Sequence, residues 1–275
     1  MPPTRLSHLV ERSSSAAHLL LDRAGLRSRW QPRGTGLDGI REDDTFLVSF
    51  PRSGSNWTRL LLCNLRWPDR EHNLATVNEL FPSMHAETRC DFSRVESPRF
   101  LKTHYPAYRR FPRFVYVVRD PRDVMISYHR YQYGMGNFES DVTLSGFLRT
   151  LGAQWPIDWS RHVDRALEAA AARPAETRVL RYEDLKADPH GELEKLAAFC
   201  SLPTDSAAIE RSVQRCEFSR LQKSEATAPH RQNFRGSFFR KGSSGQWTEE
   251  LTPEDIEWLE RRHGKTMRRL GYEPS

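Results

Sequence analysis

The residue types that could do chemistry in this chain are concentrated in two short segments of its first half. Pro51–Ser55 combines a cation, two hydroxyls and a glycine, a set that suits a phosphate-like anion. His104 follows Lys102 by two residues and is, among ten histidines, the only one in a Lys-Thr-His cluster. A neutral histidine accepts a proton near neutral pH. The two segments therefore predict an anion site and a candidate general base.

The residues around Pro51–Ser55 predict the elements that would hold the anion. Four of the six residues of Thr45–Phe50 are apolar or aromatic, which predicts a short strand running into the core. From Asn56 to Leu65 the apolar residues follow helical spacing. The free N–H groups and the dipole of a helix N-terminus favour negative charge, and Arg52 adds a full positive charge.

Three further strand candidates alternate with helices along the rest of the chain. They cover 99–103, 113–118 and 177–182. Helix starts are marked by Asp120-Pro121, Asp188-Pro189 and Thr252-Pro253, each a capping residue followed by proline. This alternation predicts the α/β class, with a central, mostly parallel sheet and helices on both faces. Ligands bind beyond the carboxyl ends of such strands, so the polar segments after the first three strands should meet in one crevice.

Length and composition limit the domain organisation and the partners. The 275 residues suit one large domain, predicted at 41–275, after a peripheral helical segment at 1–40. The net charge of +6 is compatible with an anionic partner, although the basic residues are dispersed. Thirty-six Arg against six Lys is typical of coding in high-GC bacteria. Two of those few lysines, Lys102 and Lys241, fall inside the motifs described below.

The cysteines and the apolar runs indicate a cytoplasmic protein. Cys63, Cys90, Cys200 and Cys216 form no CxxC pair, and none has a histidine at metal-ligand spacing. Cys63 and Cys200 lie in apolar helical runs, as buried thiols of a reducing compartment do. No stretch approaches a membrane span of about 20 apolar residues, and the N-terminus lacks the pattern of a signal peptide. We expect no metal site and no transmembrane segment.

Four segments, in this order, resemble the sulfotransferases that use 3′-phosphoadenosine-5′-phosphosulfate (PAPS), most closely the cytosolic-type branch. The segments are Ser49–Trp57 (SFPRSGSNW), Leu101–Pro106 (LKTHYP), Tyr116–Tyr128 (YVVRDPRDVMISY) and Phe238–Trp247 (FFRKGSSGQW). Tyr182–Pro189 (YEDLKADP) is a fifth point of similarity, and the resemblance covers roughly Thr45–Tyr272. One such motif alone is a weak signal, whereas four in order are a strong one. The resemblance implies the P-loop-kinase-like sulfotransferase fold and PAPS as the cofactor, with adenosine 3′,5′-bisphosphate (PAP) as its product.

The resemblance also assigns contacts with the parts of the cofactor. The first segment would surround the 5′-phosphate, with Trp57 stacking on adenine. Arg119 and Ser127 match the ligands of the 3′-phosphate, which the fourth segment would clamp. The implied set is Arg52, Ser53, Gly54, Ser55, Asn56, Trp57, Arg119, Ser127, Tyr182, Phe218, Phe239, Arg240, Lys241 and Gly242. Two alternatives stay open: Trp57 could be an ordinary packing residue, and Arg119 could pair with Asp120 or Asp123.

The catalytic residues implied by the resemblance are His104, Lys102 and Arg52. His104 would remove the proton of an acceptor hydroxyl or amine that attacks sulfur in line. Lys102 and Arg52 would offset the charge that develops on the leaving phosphate. No metal is required, because fixed cations take the place that Mg²⁺ has in kinases.

Two other function classes remain open. A P-loop kinase or NTPase shares the strand-loop-helix pattern, but GxxxxGK[ST] is absent and no lysine follows Gly54. A basic, non-catalytic nucleic-acid-binding protein is suggested by net charge alone, and we expect no nucleic-acid partner.

The acceptor and the oligomeric state are less defined. Aromatic residues in 67–98 and 131–162 suit a small-molecule or lipid acceptor, and arginines in the first of these stretches suit a glycan or an anion. Several of these aromatics could equally be core residues. The family's C-terminal dimer motif is altered at Thr248 and Pro253, which favours a monomer or a dimer of another type.

Overall fold

The computed structural model describes residues 39–74, 76–84, 95–138, 141–149, 157–226, 234–236 and 242–275. The predicted N-terminal segment up to residue 38 lies outside these ranges, so the predicted division into two parts stays a prediction. Phe239, Arg240 and Lys241 of the predicted cofactor set also lie outside them.

Four parallel strands form the sheet in the described part of the chain. They are β1 (Thr45–Ser49), β2 (Phe100–Thr103), β3 (Arg113–Val118) and β4 (Thr177–Arg181). Their order in the sheet is β2-β1-β3-β4, and all three pairings are parallel. The predicted parallel α/β fold is confirmed. The chain runs from β1 to β2 on one side and from β3 to β4 on the other, so the strand order reverses between β1 and β3. In α/β sheets this is where ligands bind, beyond the carboxyl ends of the strands.

Eleven helices accompany the sheet within the described ranges. They are α1 (Ser55–Arg66), α2 (Val77–Leu80), α3 (Pro121–Gly134), α4 (Leu144–Leu148), α5 (Trp159–Ala172), α6 (Tyr182–Ala187), α7 (Pro189–Phe199), α8 (Ser206–Arg215), α9 (Phe218–Ala226), α10 (Trp247–Glu250) and α11 (Pro253–Arg269), with a 3₁₀ turn at Tyr108–Arg110. The three predicted caps are confirmed. The side chains of Asp120, Asp188 and Thr252 each accept a backbone N–H of the first helical turn.

Alternate residues of the strands face two different helical layers. Leu47, Val115 and Val117 belong to a core cluster that includes residues of α1, α7 and α8. On the opposite face, Phe46 stacks on Phe111, and the ring of Tyr116 lies against a histidine of α5. Successive side chains of a strand point to opposite faces, so both faces of this sheet are covered.

One element boundary differs from the prediction and affects the site. The fourth strand was expected to reach residue 182, but it ends at Arg181, and Tyr182 is the first residue of α6. Glu183 and Asp184 follow in the first turn, where acidic side chains stabilise a helix start through its dipole. Tyr182 therefore lies beyond the carboxyl end of β4, at the same edge of the sheet as the predicted site.

The predicted buried thiols are confirmed. Cys63 and Cys200 are buried, and burial raises the pKa of each thiol to about 12. Both are therefore protonated near neutral pH. As for membrane spans, the residues that the structure describes contain no helix long and apolar enough to cross a bilayer.

Candidate active site

The loop between β1 and α1 turns sharply through two residues with positive φ. The φ angles are 69° at Arg52 and 99° at Gly54. A Cβ atom on Gly54 would lie 2.4 Å from Cδ2 of Tyr182, so the glycine lets that ring approach the loop. Ser53 in the loop and Ser55, the first residue of α1, are buried. The loop thereby places hydroxyls and the first N–H groups of the helix at the carboxyl end of β1.

His104 follows β2 directly, and its ring is oriented by the neighbouring strand. Its Nδ1 lies 2.7 Å from the backbone oxygen of Ser49, the last residue of β1. A carbonyl oxygen only accepts, so Nδ1 carries the proton and Nε2 is the unprotonated nitrogen. Nε2 lies 3.2 Å from Nζ of Lys102. The histidine thus has the tautomer that a general base acting through Nε2 requires.

Lys102 lies in a buried region with an excess of positive charge. Burial holds the pKa of its ammonium well below the usual range, and repulsion from Arg59 and Arg52 adds to the effect. Arg59 in α1 is itself buried, and burial lowers its pKa to about 10. Such a concentration of cations in a low-dielectric region attracts an anionic ligand.

Arg52 and Ser127 are hydrogen-bonded to each other. Nε of Arg52 donates to Oγ of Ser127 at 3.1 Å, although the two residues are 75 positions apart. The guanidinium also lies 4.9 Å from the ring centre of Tyr131. A residue predicted at the 5′-phosphate and a residue predicted at the 3′-phosphate are therefore in direct contact.

Arg119 follows β3 and is held from three sides. Its Nη2 contacts Oδ2 of Asp123 at 3.4 Å and donates to the backbone oxygen of Ser243 at 3.0 Å. Its guanidinium carbon lies 4.5 Å from the ring centre of Tyr182. The ion pair considered as an alternative role is thus present, with Asp123. Nε of Arg119 is nevertheless buried, and it has no partner among the residues that the structure describes.

Asp123 and Arg122 organise the surroundings of Arg119. Asp123 accepts the backbone N–H groups of Gly245 and Trp247, at 2.8 and 3.1 Å. Arg122 pairs with Asp120 at 2.7 Å and with Glu260 at 2.8 Å. These contacts give both residues a structural role.

The residues predicted around adenine are close together. The rings of Trp57 and Tyr182 meet edge to face with centres 5.8 Å apart, and the Tyr182 hydroxyl donates to the backbone oxygen of Gly242 at 3.3 Å. A Cβ on Gly242 would lie 2.4 Å from Cδ2 of Phe218, so this glycine also permits a close approach. Nε1 of Trp57 donates to the backbone oxygen of Cys216 at 3.1 Å, which anchors the indole.

Three buried polar atoms at this edge of the sheet can be compared with the groups of a nucleotide that carries two phosphates. Oγ of Ser53, Oδ1 of Asn56 and Nε of Arg119 have no hydrogen-bond partner in the described ranges. A hydroxyl and a guanidinium N–H suit phosphate oxygens, and an amide oxygen suits a ribose or base donor. Buried polar groups are normally satisfied, so their arrangement fits such a ligand.

Two aromatic residues of the stretches expected on the acceptor side follow the alternative that they are core residues. Phe81 and Trp159 are fully buried. Arg59 was not predicted, although a charged residue on the leucine-rich face of a helix is a signal that would have found it. The roles of Phe239, Arg240 and Lys241 stay predictions because these residues lie outside the described ranges.

Comparison with known proteins identifies the family to which this chain belongs. Residues 42–271 match the family model described as the sulfotransferase domain, and this chain belongs to that family. It is 24% identical to the amine sulfotransferase of Oryctolagus cuniculus over 83% of this chain and 82% of that protein. It is 27% identical to cytosolic sulfotransferase 10 of Arabidopsis thaliana over 80% of this chain and 77% of that protein.

Solved structures with the same fold agree with this assignment. Retinol dehydratase in a complex with retinol and PAP has a TM-score of 0.70 at 18% identity, covering 83% of this chain and 82% of that one. Mouse sulfotransferase SULT7A1 complexed with PAP has a TM-score of 0.63 at 24% identity, covering 85% and 87%. The predicted family, enzyme class and sulfotransferase fold are confirmed.

Proposed function

We propose that this enzyme transfers the sulfuryl group of PAPS to a hydroxyl or amine of a small-molecule, lipid or carbohydrate acceptor, with His104 as the general base. The observation that carries the proposal is the orientation of His104. The Ser49 carbonyl fixes Nδ1 as the protonated nitrogen, and Nε2 faces Lys102 beside the anion loop. PAPS would supply the activated sulfuryl group on a phosphate leaving group.

The residues of the β1–α1 loop would bind the 5′-phosphate. Ser53 Oγ, which has no partner in the described ranges, would donate to a phosphate oxygen, together with the first N–H groups of α1. Arg52 would add a charge-assisted hydrogen bond. Lys102 would stabilise the negative charge that grows on the leaving phosphate, because its buried ammonium has few competing water molecules.

His104 would take the acceptor proton on Nε2. The imidazolium that forms would keep its hydrogen bond from Nδ1 to Ser49, so the ring need not move during the reaction. A base that is already oriented loses little entropy in the transition state.

The opposite end of the cofactor would lie against Arg119 and Ser127, with Gly242 close by. The aromatic cluster of Trp57, Tyr182 and Phe218 would contact adenine. Phe239, Arg240 and Lys241 would complete this part of the site, as the resemblance implies.

Thermal unfolding with different nucleotides tests the proposal. A ligand at about 100 times its dissociation constant adds about 2.7 kcal/mol to the free energy of unfolding. PAP should raise the midpoint temperature, whereas 5′-AMP should raise it less at the same concentration. A larger shift with Mg-ATP than with PAP, or no shift with PAP, would contradict the cofactor assignment and favour the kinase or non-catalytic alternatives.

Binding of PAP should be accompanied by proton uptake at Lys102. The pKa of Lys102 lies well below the usual range in the free enzyme, and a bound phosphate raises it, so the complex holds more protons wherever the pH lies between the two pKa values. A series of pH values above about 8 is used, because nucleotide phosphates, with a second pKa of about 6, are ionised there. Calorimetry in two buffers with different ionisation enthalpies measures the uptake. Equal heats in both buffers would contradict it, and Lys102→Met should abolish the difference.

The location and assembly of the enzyme are also part of the proposal. Several of its named relatives are cytosolic sulfotransferases, which supports a cytoplasmic location. The altered C-terminal motif at Thr248 and Pro253 supports a monomer, or a dimer that does not use that motif.

A further inference from the structure

Two consecutive residues at the start of α6 hold Arg119 in place. The ring of Tyr182 lies 4.5 Å from the Arg119 guanidinium carbon. Oε1 of Glu183 accepts the backbone N–H of Asp120 at 3.0 Å. That N–H belongs to the peptide bond that joins Arg119 to Asp120. Glu183 therefore fixes the orientation of the peptide plane from which the arginine leaves the strand.

The second oxygen of Glu183 is held by a residue near the C-terminal end of the chain. The Tyr272 hydroxyl donates to Oε2 of Glu183 at 2.7 Å, and Tyr272 is buried. Arg181 packs on the Tyr272 ring, with its guanidinium carbon 4.7 Å from the ring centre. Burial raises the pKa of the Glu183 carboxyl, and its hydrogen bonds to Asp120 and Tyr272 offset part of that effect. Tyr272, Glu183 and Asp120 thus form a continuous chain of hydrogen bonds.

We propose that Glu183 and Tyr272 are positioning residues for Arg119 and thereby set the preference of the site for a 3′-phosphorylated nucleotide. The inference rests on the proposed function, because it takes Arg119 as a ligand of the 3′-phosphate. Charge-assisted binding of phosphate by a guanidinium depends on geometry, and a small displacement of the arginine weakens it. Neither Glu183 nor Tyr272 needs to touch the nucleotide for this effect.

Calorimetric titration of PAP and of 5′-AMP separates positioning from general stability, since the two ligands differ only in the 3′-phosphate. In Tyr272→Phe, which keeps the buried ring and removes the hydroxyl, the PAP affinity should fall about five- to tenfold with 5′-AMP unchanged. Glu183→Ala should likewise weaken the binding of PAP and leave the binding of 5′-AMP unchanged. Tyr108→Phe is the matched control: Tyr108 is also 4% exposed, and its hydroxyl lies 3.1 Å from Nδ1 of His162 instead of near Arg119. This control should leave the ratio of the two affinities unchanged.

A double-mutant cycle tests whether Tyr272 acts through Arg119. In an Arg119→Met background, Tyr272→Phe should produce no further change in the affinity ratio. An unchanged ratio of the PAP and 5′-AMP affinities in Tyr272→Phe would overturn the inference, whether both affinities fall equally or neither changes. A wild-type enzyme that does not prefer PAP to 5′-AMP would instead contradict the proposed function, so the two failures are distinguishable.

Discussion

Replacing His104 by alanine should lower the rate of sulfuryl transfer by about 10²- to 10⁴-fold, the usual contribution of a positioned general base. The affinity for PAP should change little, because the proposed phosphate contacts come from other residues. Steady-state transfer from PAPS to an acceptor found by screening gives the rate, and calorimetry with PAP gives the affinity.

A second buried histidine provides the control for this substitution. His263 in α11 is 2% exposed, and its Nδ1 lies 2.8 Å from Oγ of Ser160, with no described contact to His104 or Lys102. His263→Ala removes a comparable buried ring, so a loss of activity that merely reflects instability would appear in both variants. Full turnover in His104→Ala would rule out the base assignment.

Replacing Arg119 by methionine should weaken PAP binding by about 10- to 100-fold, because the 3′-phosphate loses a charge-assisted hydrogen bond in a buried place. Binding of 5′-AMP should be affected much less. Competition titrations with the two nucleotides measure the difference.

Arg113 serves as the matched control because it lies at the other end of the same strand. It donates to the backbone oxygen of Phe199 at 3.2 Å and lies 5.4 Å from that residue's ring centre. Arg113→Met removes an equal charge from β3 without reaching the crevice. If both variants lose PAP affinity equally, the effect is one of net charge, and Arg119 has no specific contact with the 3′-phosphate.

The elements that depend on local signals could be predicted from the sequence. Asp120, Asp188 and Thr252 mark helix starts because their side chains satisfy N–H groups only two or three residues away. The anion-binding loop at Pro51–Ser55 could be predicted for the same reason, since its cation, hydroxyls and glycine are adjacent in the chain. Motif order then predicted the family, which the match over residues 42–271 confirms.

The contacts between distant segments could not be predicted in this way. Nothing local links Arg52 to Ser127, or Glu183 to Tyr272, since the members of these pairs are 75 and 89 positions apart and meet only in the folded chain. Tyr182 was placed in a strand because its neighbours are typical of one. In the structure Tyr182 begins α6, whose first turn is stabilised by the acidic residues Glu183 and Asp184.

The hydrogen bond between His104 and the main-chain oxygen of Ser49 has an evolutionary consequence. A histidine oriented by a carboxylate side chain depends on one codon, and a single substitution there can abolish the orientation. The oxygen at position 49 is present whichever amino acid is encoded. The orientation of the histidine is therefore inherited with the course of the backbone, and a substitution at position 49 removes only the longer contact, 3.3 Å, between Oγ of Ser49 and Nδ1.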